Sequence, residues 1–423
     1  MKKNLGVLIV SMQLLCCLLA GCNEKTEKTK IVYWSMWRKE EPQAQVILDA
    51  AKAFTRETDI IVDIVFNGRN IRSALLPALN AGEPIDVFDE DIERVSSEWK
   101  DYLLPLDEYT AKAYPTTEGK PYSTVLNKQL YNLAKELGGG TVKNIPYQPS
   151  AFVVMYNKDL FAQAGIEKPP KTWSEFLRVC ERLKAIGVPA ITVDDLYMAC
   201  LFGYNMDRLV GERATLNMIQ NKDFSGWQVL EFGKIWENMA KKGYISADAA
   251  SNVWPAGQNE MAAGKVAMYL NGTWLPNEIK NRAPHFKWGA FAWPAMSPKG
   301  DGIEANNYGS QSFAVNKNSK HPEAAFRFIV WLTTGDWDAV LADESIGIPA
   351  GNNTPWPAQL AEANVIVNNT TNRLDWAVGM EKSPQIHAKI QENFKKLISG
   401  ELNAAGFASA MHIDSRRGGN QIF

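Results

Sequence analysis

The stretch Ile145–Phe161, IPYQPSAFVVMYNKDLF, constrains the fold more than any other in this chain. Pro146, Pro149 and Ser150 are turn residues, and proline removes a backbone donor and fixes φ, so the first part is expected outside the middle of a sheet. From Phe152 to Tyr156 the sequence turns β-branched and aromatic, as a buried strand does, before it breaks at Asn157–Lys158–Asp159. A chain of 423 residues is too long for one comfortable core. The stretch therefore reads as a passage from one lobe into another.

On either side of it, strand patterns alternate with helix patterns. Ile31–Trp34 reads as a strand, followed by a helix with Pro42 near its start and Val46, Ile47, Ala50 and Phe54 along one side. Ile60–Phe66 and Ile85–Phe88 are further strands, with a helix marked by Ile71, Leu75, Leu76 and Leu79 and closed by Gly82 between them. Past the passage, Thr172 and Glu175 have the spacing of a capping box. Ala190–Val193, Val266–Leu270, Trp288–Trp293 and Ser312–Val315 read as strands, and Asp223 to Lys242 as a helix with Trp227 and Trp236 in the core. A last clear helix has Pro322 in its first turn, after His321, and Gly335 as its stop. Such alternation implies an α/β fold of open, mostly parallel sheets with helices on both faces. The loop from Pro294 through Pro298 to Gly302 is a plausible second crossing.

The first residues read as an export signal. Lys2 and Lys3 precede an apolar run, Leu5 to Leu19, too short and wrongly flanked for a spanning helix, and Leu19-Ala20-Gly21-Cys22 has the form of a bacterial lipobox. Cleavage before Cys22 and lipidation of its thiol are expected, with charged residues 23–30 as a tether. Cys16 and Cys17 would leave with the signal. Cys180 and Cys200 remain, and a disulfide between them is permitted outside the cell, although Cys180 shares an apolar helix side with Phe176, Leu177 and Leu183, where a free buried thiol is common.

Composition and motifs exclude several classes of function. The formal net charge of −2 gives no basic face for a nucleic acid. His285, His321, His387 and His412 are scattered without metal-ligand spacing, and no GxSxG, HExxH or phosphate-binding loop is present; Gly138–Gly140 reads as a plain loop. No cofactor is implied. A secreted glycosidase needs only two carboxylates, but the pattern breaks into two short sheets rather than eight strand–helix units.

Open α/β sheets bind ligands beyond the carboxyl ends of their strands. Trp34, Trp37, Arg38 and Lys39 follow the first strand; Asn67, Arg69 and Asn70 the second; Asp89, Glu90 and Asp91 the third, with Glu93 and Arg94 just beyond. Asp194, Asp195 and Tyr197 follow Ala190–Val193, Trp274 follows Val266–Leu270, Trp293 ends its strand, and Tyr308 precedes Ser312–Val315. Tryptophans, carboxylates and amides at one end of the sheets are what a sugar requires: its C–H faces lie on aromatic rings and its hydroxyls donate and accept. Arg38, Arg69 and Arg94 could instead converge on an acidic sugar, or pair with Glu40, Asp89 and Glu90.

The passage at Ile145–Phe161, NGTW at Asn271–Trp274 and FAVNKNSKHPEAA at Phe313–Ala325, in that order, resemble the family 1 extracellular solute-binding proteins of ABC importers, of which the maltose-binding proteins are members. The resemblance implies two lobes, residues 31–147 with 295–335 and residues 148–294 with 336–423, joined by three crossings after a signal at 1–21 and a tether at 22–30. It implies that Trp274 is the family's sugar-stacking tryptophan, that Tyr147 and Gln148 touch ligand from the crossover, and that Asp89–Asp91 lie in a contact loop of the first lobe. That loop lacks the aromatic of the maltose-binding pattern. The function implied is a lipid-anchored, monomeric receptor on the outer face of the cell membrane. It would capture a carbohydrate, an oligosaccharide by preference, and deliver it to an ABC permease. A polyol, glycerol phosphate or acidic sugar is the alternative solute, and a lipid-anchored scaffold without ligand a third class.

Overall fold

A computed structural model describes residues 28–412; the expected signal, Cys22 and most of the tether lie outside the described residues. The nine strands are β1 Lys30–Ser35, β2 Ile61–Phe66, β3 Val87–Asp91, β4 Ile145–Asn157, β5 Ile191–Thr192, β6 Met268–Gly272, β7 Trp288–Phe291, β8 Ala305–Val315 and β9 Asn372–Arg373. They form one mixed sheet in the order β2-β1-β3-β8-β4-β6-β5, with β7 on β4 and β9 on β8. The outer pairs β1–β2, β1–β3 and β5–β6 are parallel, as crossover helices require, whereas β3–β8, β8–β4 and β4–β6 are antiparallel.

Two apolar cores lie along this sheet. One gathers Ile31, Tyr33, Phe54, Phe88, Ile145, Tyr147, Phe313 and Leu341, and the other Phe152–Tyr156, Tyr204, Trp236, Tyr269, Trp293 and Phe394. Among the described residues, only β4 and β8 run through both. Ile145 and Tyr147 belong to the first core and Ala151 onward to the second, while Phe313–Val315 belong to the first and Ala305 to the second.

This corrects the expectation for Ile145–Ser150. Pro146 and Pro149 lie inside the ladder, opposite Ser312 and Ser310, and the register slips between Tyr147 and Pro149, where Gln148 has φ +44°. A bulge already interrupts the ladder, so it is where missing donors are tolerated. Beyond Gly335 the chain does not change core at once: Leu341 packs in the first, Ile348 in the second and Ala350 again in the first.

Local expectations fare variously. The helix Pro42–Thr58 buries Val46, Ile47, Ala50 and Phe54 and ends at Asp59 in the left-handed region. The Thr172–Glu175 capping box is present at the helix Trp173–Ala185. Cys180 and Cys200 are buried, free thiols on helices of the second core. Trp227 is not core: it opens its helix, is 51 % exposed and lies under the Lys299 ammonium. His321 sits at an N-cap without capping through its side chain. Gly335, with φ +61°, separates the helix Pro322–Thr333 from the helix Gly335–Ser345.

Candidate functional site

Between the two cores, at the carboxyl ends of β1, β2, β3 and β6, lies a cavity of about 740 Å³. That is toward the upper end of small-molecule sites and roomier than one hexose needs. Its two walls differ in chemistry. The wall on the first core carries Trp37, Glu41, Arg69, Arg72, Glu90, Asp91, Glu93 and Arg94. The wall on the second carries Tyr197, Trp254, Trp274, Trp376, Asn277, Glu278, Glu381 and His387. Gln148, Pro149, Ser150, Gln311 and Ser345–Gly347 close the side at the hinge.

Each arginine of the first wall already holds a carboxylate. Arg72 donates two hydrogen bonds of 3.0 Å to Glu90, whose side chain is buried. Arg69 donates to both oxygens of Glu41, at 2.9 and 3.1 Å, and lies over the Trp37 ring, 5.1 Å from its centroid. Arg94 pairs with Glu98 one turn along its helix. Arg373, from β9, reaches across to Glu93 and donates its Nε–H to the Tyr308 carbonyl at 2.8 Å.

Aromatic rings dominate the second wall. Trp274 and Trp376 have centroids 5.9 Å apart, and both pack on the buried ring of Phe152. Trp274 folds back over Gly272, where a Cβ would strike its ring. Here the absence of a side chain is what gives the indole its place. Burial pushes the Glu278 carboxyl up to about 7 despite the nearby Arg282 and Arg69, and Glu381 likewise to about 7. Three wall acceptors, Asn277 Oδ1, Gln311 Oε1 and Glu381 Oε2, are buried without a protein donor. Such groups are costly unless something that enters the cavity satisfies them.

Of the residues singled out from sequence, Trp37, Arg69, Glu90, Asp91, Glu93, Arg94, Gln148, Tyr197 and Trp274 lie on the wall. Trp34, Arg38, Asn67, Asp89, Tyr147, Asp194, Trp293 and Tyr308 do not. Trp34 packs at the edge of the first core, and the Arg38 stem lies against Gly68 on the surface. Asn67 turns back to the Val65 carbonyl at 3.3 Å. Asp89 and Tyr147 are fully buried behind Trp37: Trp37 donates its Nε1–H to Tyr147 Oη at 2.7 Å, Tyr147 donates to Asp89, and Asp89 also accepts from the Met36 N–H at 2.9 Å. Burial raises Asp89 to about 7, opposed by those hydrogen bonds. Asp194 accepts from the Gly257 and Gln258 N–H groups and from Tyr269, at the start of the helix Ala256–Ala262. Trp293 is wholly buried against Trp236 and Phe176. Tyr308 packs beside Ile92 and Leu133 under Arg373. Being near a strand's carboxyl end does not decide which way a side chain turns: Asp89, Tyr147, Asp194 and Trp293 turn inward, and Arg38 stays at the surface.

Sequence reasoning missed Arg72, Trp254, Glu278, Trp376 and Glu381. Arg72 was accessible as the next turn after Arg69, and Glu278 as one helical turn past Trp274. Trp376 and Glu381 belong to a segment with no strand pattern before it, so nothing local marked them.

With this geometry in place, comparison with known proteins gives consistent results. A family model described as bacterial extracellular solute-binding protein matches residues 39–338. A binding protein from Brucella abortus (strain 2308) is 29 % identical over 240 residues, 54 % of each chain, so the chain spans about half the length of that relative. The multiple sugar-binding protein of Streptococcus mutans is 25 % identical over 349 residues, 78 % of this chain and 79 % of that one. The solved structure of RafE in complex with raffinose superposes with a TM-score of 0.68 at 19 % identity, covering 91 % of this chain and 98 % of the other, which establishes the shared fold.

Proposed function

This chain belongs to the bacterial extracellular solute-binding protein family, and from that premise we propose that it captures a neutral oligosaccharide between its two lobes for delivery to an ABC importer. The observation that carries the reading is the pairing of unlike walls. Flat aromatic surface from Trp274, Trp376 and Tyr197, with the unpartnered acceptors of Asn277 and Glu381 on the same wall, faces Arg–carboxylate pairs on the other. Rings take the C–H faces of pyranoses; carboxylates, amides and guanidinium groups take their hydroxyls. The Streptococcus mutans relative is a multiple sugar-binding protein and the structural neighbour holds raffinose, which supports the same class of ligand.

An anionic ligand is less well served. Arg69, Arg72, Arg94 and Arg373 each spend their charge on a carboxylate, and Glu278 and Glu381 line the same space without a salt bridge to any of the described residues. A phosphate or uronate entering here would compete with carboxylates already bound to these arginines, bidentately at Arg69 and Arg72. The test is a thermal-shift screen of the protein with neutral saccharides, uronic acids and glycerol phosphate, in which stabilisation follows RT ln(1 + [L]/Kd). A neutral saccharide should give saturable stabilisation and remain uncleaved; preference for an anion would overturn this reading.

The mechanism that follows is closure. A ligand bridging both walls favours the closed state by its differential affinity for it. The bulge at Gln148 is suited to flex, since β4 and β8 are the strands that tie the lobes together. Lipidation of Cys22 would hold the receptor at the outer membrane face beside its permease. Among the described residues no helix is long and apolar enough to cross a membrane. Cys22→Ala should release the protein from the membrane fraction; unchanged attachment would refute the anchor.

A further inference from the structure

We propose that Leu196, Val253 and Trp254 form an outer subsite at the mouth of the cavity, which stacks against an additional sugar unit of a longer neutral glycan. This rests on the carbohydrate reading above and extends it to the length of ligand the site selects.

The three side chains are 49 %, 61 % and 43 % exposed. Large apolar groups left in water close together mark a contact surface; Val253 and Trp254 are neighbours in the chain, and the Asp195 carboxylate joins the backbones of Leu196 and Trp254. Leu196 and Trp254 are at the same time part of the cavity wall, so this patch is continuous with the ligand space. The inner aromatics connect to it: Tyr197, next to Leu196 in the chain, has its ring 6.5 Å from that of Trp376, which in turn neighbours Trp274. The apolar track thus runs from the enclosed rings outward to an open one. An oligosaccharide presents a C–H face on each successive unit, which is the repeat such a track would meet.

The patch is also rigidly held, which a mere loop tip would not need. Asp195 Oδ1 accepts from the Leu196 N–H at 2.8 Å and the Trp254 N–H at 3.0 Å, and the Asp195 N–H donates to the Asn252 carbonyl at 3.1 Å. Asn252 is itself buried, donating to Thr192 at 3.1 Å and Glu260 at 2.9 Å. One carboxylate therefore clamps two separate loops so that their apolar side chains stand together. Such preorganisation lowers the entropy cost of binding.

The test is calorimetric titration of the whole protein with maltotriose through maltohexaose and with raffinose against stachyose. Wild type should bind the longer member of a ladder more tightly. Trp254→Ala should lose about tenfold more affinity for the longer glycans than for the trisaccharide, Trp254→Phe should keep most of the gain, and Trp227→Ala, an exposed tryptophan away from the cavity, should change neither. Unliganded melting of each variant verifies folding. Equal loss at every length, no loss at any length, or wild-type affinity that ignores length would each overturn the subsite. Failure of wild type to bind either ladder would overturn the subsite, whereas the carbohydrate reading itself falls only if the thermal-shift screen shows preference for an anion.

Discussion

Among single residues, Trp274 bears most on the proposed capture of a sugar. Its ring is partly exposed, folds over Gly272 and faces the cavity rather than filling a core. Trp274→Ala should therefore weaken saccharide binding by more than tenfold, about 1.4 kcal/mol, and leave melting of the unliganded protein nearly unchanged. Intact binding with a large loss of stability would make the ring core instead. The buried carboxyls make a second prediction. Glu278, Glu381 and Asp89 are each pushed up to about 7, above the values near 4 expected of an unfolded chain. Between those limits the folded state holds more protons than the unfolded one, so their contribution is complete below about pH 4 and is lost as pH rises through 7. The carboxylates shifted the other way, such as Asp59 and Glu175, are exposed and act only at lower pH. Scanning fluorimetry should show the unliganded melting temperature falling from pH 5 to pH 8, and Glu278→Gln should shrink that fall; a flat profile in wild type would contradict the assignment. Trp274 was legible from NGTW, because a tryptophan just past a buried strand has few structural duties. Trp293 looked similar and is core, since the stacking partners that claim it, Trp236 and Phe176, come from distant helices.

At the scale of elements, the hinge is β4 against β8, and Tyr147 ties it to the cavity. Its hydroxyl accepts from Trp37 and donates to Asp89, and its ring stacks on Phe313 of β8 with centroids 3.9 Å apart. On the next residue, Gln148 accepts from Ser345 at 3.1 Å, joining the third crossing to the first. Tyr147→Phe keeps the stack but strands two buried polar groups. It should cost about 1–3 kcal/mol in denaturant unfolding; a loss below a few tenths would mean that the chain of hydrogen bonds carries no weight. The strand–helix alternation of the first lobe was readable from periodicity alone, because each helix there buries one regular face. The hinge was not. A bulge is a property of two strands together, and β8 begins with Ala305-Asn306-Asn307-Tyr308-Gly309, whose polar residues carry no strand pattern until β4 is beside them. The arginine pairs were likewise undecidable from spacing: Arg69 takes Glu41, and Glu90 goes to Arg72.

At the scale of the whole molecule, two cores share one sheet whose central strands, β4 and β8, cross the boundary, and the cavity occupies the space where the lobes face each other. Contacts that reach across it, Arg373 to Glu93 and Lys280 to the Glu344 carbonyl at 2.8 Å, are few and partly exposed. Exposed pairs of this kind are individually weak, so a bridging ligand can decide between open and closed forms. The two-lobed plan was visible in sequence because the chain is too long for one core and changes pattern at Ile145–Phe161. The wall supplied by Trp376 and Glu381 was hidden, since it arises only when the C-terminal segment returns to the second lobe. The most direct test of closure on a sugar is small-angle X-ray scattering of the protein with and without a saturating saccharide from the thermal-shift screen. The radius of gyration should fall by a reproducible amount on addition of that saccharide, and Trp274→Ala should show the fall only at higher concentrations. An unchanged radius at full occupancy, or a contraction produced equally by saccharides that do not bind, would contradict the account.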